Sequence, residues 1–140
     1  LSNVVINNAL SDAIDADFSK LTFKNIIINS AGNDCIDVSA GDYHIKHADL
    51  SGCKDKAISV GEKSNLLLDS AQISQSKTGL AAKDSSTIVV NSVIAIKVAI
   101  CFSAYNKKQE FYGGRITIGQ HNCLPDQISQ LEGSLIEFIQ

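Results

Sequence analysis

The chain has 140 residues, 44% of them hydrophobic and 19% charged, with a single proline and a net charge of −3. That size suits one domain, the composition excludes a disordered chain, and an acidic balance with no basic stripe excludes nucleic acid as the partner. No apolar run approaches the roughly 20 residues of a membrane-spanning helix, so membrane insertion is not expected.

The first ten residues, "LSNVVINNAL", read as the second half of a repeat, because Asn3 falls 22 residues before Asn25 and Ile6 falls 22 before Ile28. A coil that begins halfway leaves an open sheet end, which solenoids normally cap. With no Met in the chain, this start suggests a fragment or processed product of a larger polypeptide, any signal peptide lying upstream. From Ser11 onward, "SDAIDADFSKLTFKNIIINSAG", "NDCIDVSAGDYHIKHADLSGCK", "DKAISVGEKSNLLLDSAQISQS" and "KTGLAAKDSSTIVVNSVIAI" lie over one another without a gap. One apolar column runs Ile14, Ile36, Ile58, Leu80 and Ile100, at spacings of 22, 22, 22 and 20. A second runs Phe23, Ile45, Leu67 and Val89, and a polar third runs Asn3, Asn25, His47, Asp69 and Asn91. A repeat of this length marks a solenoid whose units bury their faces against one another.

Inside each copy the period is two. Ile36-Asp37-Val38 and Ile58-Ser59-Val60 alternate apolar and polar, as strands with one interior face do. Gly, Asn, Asp and Ser cluster between them as turns. Successive copies are then expected to stack at about 4.8 Å, with Asp37 facing outward between two inward neighbours. Gln72 stands where Ile28, Leu50 and Ile94 stand in other copies, which suggests a local slip that gives Ile73 the inward place.

The stretches "FKNIIINSAGNDCIDV", "LSGCKDKAISVGEKSNLLLD" and "KTGLAAKDSSTIVVNSVI" resemble the right-handed parallel β-helix family of pectate-lyase-like proteins. The resemblance covers roughly Leu1 to Arg115. His47 and Asp69 depart from the asparagine ladder. The expected fold is all-β, a right-handed single-stranded parallel β-helix of about five 22-residue coils, with coils over 1–118 and a C-terminal cap over 119–140. The resemblance favours an extracellular or cell-surface setting. It does not specify an activity, because lyases, hydrolases, epimerases and non-catalytic binders share the fold.

The cysteines Cys35, Cys53, Cys101 and Cys123 match no zinc spacing. Cys35 falls in a column with Ala13, Ala57, Gly79 and Ala99 and reads as a small buried thiol. Cys101 falls in the outward Asp15/Asp37 column. Four free thiols are expected, with a Cys101–Cys123 bridge as the alternative if the tail folds back.

Two carboxylate columns stand out. Asp12 and Asp34 open their coils and read as turn formers. Asp15 and Asp37 face outward, with Asp17 at the strand's end, and one coil of separation would place Asp15 and Asp37 near 5 Å apart. Oxygen-rich pairs of this kind suit Ca²⁺, and the resemblance implies that outward acids on such a sheet bind Ca²⁺ or touch a uronate. The metal candidates are therefore Asp15 and Asp37. The substrate-contact candidates are Asp15, Asp17, Asp37, Tyr105 and Tyr112. A uronate lyase needs a base of the Lys or Arg type. Lys83 and Arg115 are the candidates, Lys83 standing two coils from Asp37, and no complete catalytic constellation is visible.

Leu66, Leu68, Ile88 and Val90 read as an outward aliphatic patch that calls for cover. Cover would come from the tail (Leu131, Leu135, Ile136, Phe138 and Ile139), a second copy, or a domain of the parent chain. Three functions remain: a carbohydrate-associated β-helix, part of a polysaccharide-binding or polysaccharide-modifying protein; a structural or adhesive module making protein contacts; and a Ca²⁺-dependent uronate lyase or epimerase.

Overall fold

The computed structural model describes residues 2–139. Its strands are β1 (Asn3–Ala9), β2 (Ile14–Asp17), β3 (Lys20–Ala31), β4 (Ile36–Ser39), β5 (Asp42–Cys53), β6 (Lys56–Gly61), β7 (Asn65–Lys83), β8 (Thr87–Tyr105), β9 (Arg115–His121), β10 (Ile128–Gln130) and β11 (Leu135–Phe138). Every pairing between them is parallel. One side of the stack runs β1–β3–β5–β7–β8–β9–β11, and the other runs β2–β4–β6–β7–β8–β10. The chain is a parallel β-solenoid of about six turns.

Alternation explains its interior. Ile14, Ile36, Ile58, Leu80, Phe102 and Ile128 are successive partners, and the four from Ile36 to Phe102 are fully buried. The fifth place belongs to Phe102, not Ile100. Ile100 pairs with Thr78, so the spacing stays at 22 and an aromatic fills the row at that level.

The second column shifts by one residue from the third coil onward. Ile45 pairs with Leu68, and Leu68 with Val90, while Tyr43 pairs with Leu66 and Ile88 follows it. Leu66, Leu68, Ile88 and Val90 therefore point into the core, each at 2% exposure or less. Leu67 and Val89 lie outside, across from His44. The cause is a longer corner. In coils one and two a single left-handed residue, Phe18 or Ala40, makes the bend; in coils three and four two residues do so, Glu62-Lys63 and Asp84-Ser85. One added residue reverses every side chain after it, because the strand period is two. The next corner loses a residue, so that Lys56 again pairs with Thr78 at a spacing of 22. Ile73 accordingly takes the inward place opposite Leu50, leaving Gln72 outside. The polar column shifts likewise: His47 pairs with Ser70 and then Ser92, not with Asp69 and Asn91. Its members bond along the axis, Asn25 Nδ2 to Asn3 Oδ1 at 2.9 Å and His47 Nδ1 with Ser70 Oγ at 2.7 Å.

With the aliphatic patch turned inside, the tail has nothing to cover. It adds to the end of the stack instead, β10 on β8 and β11 on β9. The Phe138 ring meets His121 at 4.9 Å and Phe102 at 6.2 Å.

The cysteines are all paired, against the free-thiol expectation but with the alternative Cys101–Cys123 bridge in place. Cys35 bonds Cys53 across Cα atoms 5.3 Å apart, and Cys101 bonds Cys123 across 6.4 Å. Cys35 lies where its coil begins and Cys53 where the same coil ends, so the bridge closes one turn at a corner. Cys101 belongs to the inward side, one coil above Gly79, where an added Cβ would meet the Cys101 carbonyl oxygen at 2.6 Å. Ser103, partner of Ala81, continues the outward row that the sequence assigned to Cys101.

Candidate ligand-binding face and acidic cluster

The outward side of β2, β4, β6 and the ends of β7 and β8 carries two parallel rows of side chains. One runs Asp15, Asp37, Ser59, Ala81 and Ser103. The other begins Asp17, Ser39 and Gly61, and Lys83 and Tyr105 continue it on the following two coils. Together with the adjoining corners they line a hollow of about 280 Å³, bordered by Asp15, Asp17, Asp37, Ser39, Glu62 and Lys83, with Asp84, Lys107 and Lys108 on its rim.

Small residues shape this hollow. The Lys83 stem packs back over Gly61, where an added Cβ would stand 3.0 Å from Lys83 Cε. Its ammonium thereby acts on Asp37, two coils away. Tyr105 is half-buried, and burial holds its phenol above the usual range, although Lys56, two coils back along the stack, favours the ionised form. Ser59 and Ala81 face outward yet are wholly covered. On the rim, buried Asp84 Oδ1 accepts the backbone N–H groups of Lys107 and Lys108 at 2.7 and 2.9 Å, and Lys108 Nζ pairs with Glu62. The loop after β8 is thus tied down against the hollow.

The acids at the opening corner have a second role. Asp12 Oδ1 accepts the Asp34 N–H at 2.9 Å, and Asp34 Oδ1 accepts the Lys56 N–H at 3.0 Å. Each carboxylate bonds the backbone of the next coil rather than its own turn. Asp12, Asp34 and Asp37 offer oxygens that all lie within 4.8 Å of one another. The tightest carboxylate group therefore has Asp12 and Asp34 beside Asp37. Asp15 lies in the same row as Asp37 but outside this group.

Burial raises Asp37 most, to about 6, and Asp34, Asp12 and Asp15 add to it against the opposing pull of Lys83. Asp34 is raised by burial, with the Lys56 N–H and ammonium working the other way. Partial desolvation and then Asp17 and Asp12 raise Asp15. In the folded chain Asp37 keeps its proton up to about pH 6, whereas an unfolded carboxyl releases it near 3.8. The native state therefore binds more protons between these values, and the stability this group contributes is full below about pH 4 and lost as the pH rises through 6. Asp37→Asn is expected to leave Tm unchanged at about pH 4 and to raise it at about pH 7. Melting curves at the two pH values check this, and an equal offset at both would contradict it.

Of the residues singled out in the sequence, Asp15, Asp17, Asp37 and Lys83 share the hollow. Tyr105 ends the lysine row beside them. Tyr112 is 84% exposed in the loop, anchored only by its backbone to Ser85. Arg115 pairs with Thr87 and Leu135 on the other side of the stack and takes no part. Sequence reasoning passed over Lys56, Ser59, Glu62, Asp84, Lys107 and Lys108. The signal for several of them was present in "DKAISVGE", with charged residues at both ends of one strand, and in "AAKDSS", with a charged pair where a strand ends.

No family model, no curated protein and no solved structure matches this chain.

Proposed function

We propose that this face binds a polysaccharide lying along the solenoid axis, with the hollow between Asp15, Asp17, Asp37 and Lys83 as its central subsite. The observation that carries this reading is the hollow itself: carboxylate acceptors on the first two coils and ammonium donors on the later ones, set in rows repeating at about 4.8 Å. A chain of hydroxyl-bearing rings can exchange hydrogen bonds with both rows without leaving the sheet. The two disulfides favour an oxidising compartment, in keeping with an extracellular or cell-surface protein. Inward placement of Leu66, Leu68, Ile88 and Val90 removes the aliphatic patch expected to dock the tail, a second copy or a parent-chain domain.

Calorimetry against neutral, uronate-containing and amino-sugar polysaccharides tests the reading. Binding by at least one class, weakened about tenfold or more by Asp17→Asn combined with Lys83→Ala, is the expected result. Silence across all three would end it. A second reading, a uronate lyase or epimerase, is favoured by the place of Lys83 in the same hollow, where its neutral amine would be the base that takes the proton alpha to a uronate carboxylate. A lyase would be marked by ultraviolet absorbance from an unsaturated uronate product and an epimerase by inversion at C5 read by NMR, either one absent in Lys83→Ala.

A further inference from the structure

We propose that Asp12, Asp34 and Asp37, together with the Ser59 hydroxyl, form a binding site for a hard divalent cation of the Ca²⁺ class. The acids alone would not carry this, since clustered carboxylates are common. The independent observation is Ser59. Its side chain is fully buried, and its Oγ is the one buried side-chain polar atom among the described residues with no hydrogen-bond partner. An unpaired buried hydroxyl is a standing cost to the fold.

Position makes that atom relevant to the acids. Ser59 is the direct partner of Asp37 on the next coil, and both side chains stand on the outward row, between inward Ile36 and Val38 and inward Ile58 and Val60. The hydroxyl therefore sits beside the Asp37 carboxylate, yet it does not bond to it. A lone pair left open beside Asp37, one of the three clustered acids, is what a metal ion would use.

The carboxylates are also held ready. Asp12 Oδ1 takes both the Asp34 N–H and Asn33 Nδ2 at 2.9 Å, and Asp34 Oδ1 takes the Lys56 N–H. These bonds engage Oδ1 of Asp12 and of Asp34 and leave Oδ2 of both for a ligand. The neighbouring ammonium of Lys56 is turned aside onto Asp55 Oδ2 at 2.8 Å, and that of Lys83 approaches from beyond Gly61. Three carboxylates, a hydroxyl and water reach the six to eight oxygens that Ca²⁺ takes. An all-oxygen donor set, with no His or Cys, selects a hard cation over zinc or copper.

The test needs no glycan, so its outcome is independent of the polysaccharide reading. Chelator-treated full chain is titrated with CaCl₂, and separately with MgCl₂, by calorimetry and by thermal melting. Saturable Ca²⁺ binding with a Tm that climbs with concentration is expected, and Mg²⁺ should bind more weakly. Asp37→Asn should cut Ca²⁺ affinity about tenfold or more. Ser59→Ala should also weaken it, while raising the Tm of the chelated protein by removing the unpaired hydroxyl. That opposition of signs is one a purely structural serine would not produce. Both variants spare the backbone bonds made by Asp12 and Asp34, so folding is preserved, and exposed Asp126→Asn serves as the remote control. No saturable heat at millimolar Ca²⁺, or affinities in Asp37→Asn and Ser59→Ala equal to that of the control, would overturn the proposal.

Discussion

Leu68→Ala is expected to lower stability by about 2–5 kcal/mol, whereas the neighbouring Leu67→Ala should change it by no more than about 0.5 kcal/mol. Leu68 is fully buried between Ile45 and Val90, and Leu67 is 40% exposed across from His44. Truncating the first leaves a void in a core whose rows run the length of the stack, and neighbouring rungs can close it only partly. Truncating the second removes a few carbons already in water. Chemical denaturation of the pair gives a direct reading of register: if Leu67→Ala were the costly change, the one-residue shift at Glu62-Lys63 would be wrong, along with every face assigned after it.

Replacing Cys35 and Cys53 together by alanine should cost about 3 kcal/mol, or on the order of 10 °C in Tm. The bridge spans 18 residues in sequence and closes a single turn, with both cysteines fully buried. Its main effect falls on the unfolded chain, which loses conformations when the ends of a turn are tied. The Cys101–Cys123 bridge, spanning 22 residues, should contribute a similar amount. Thermal melts of the two double variants and of the quadruple variant measure both, and losses well under 1 kcal/mol for each would contradict this account.

The repeat made the fold legible, because a 22-residue period and strand alternation leave few alternatives to a stacked coil. The first interior row could be read down to Leu80 without structural help. What could not be read was a change of corner. Two left-handed residues at Glu62-Lys63 in place of one at Ala40 leave no mark in the alignment of apolar residues, since "NLLLD" offers a leucine at every register. Only Gln72 betrayed the shift, one face later. The site was partly legible for a similar reason. Asp15 and Asp37 announce themselves by interrupting apolar strands, but Lys83 joins them only because Gly61 and its stem allow it to lean back along the stack. The Cys101–Cys123 bridge, named from the sequence as the alternative, is present, whereas the Cys35–Cys53 pairing was hidden because residues 18 apart meet only when the turn between them closes at a corner.

The rung-closing bridges bear on how such a molecule comes apart. A stack in which each layer touches only its neighbours unravels from its ends, one layer at a time. A layer tied into a ring cannot be peeled off progressively; it must let go whole. With ties on the second and fifth layers, the stretch from Asp37 to Lys83 is bounded by two such stops, and amide exchange there should slow abruptly instead of grading inward from the termini.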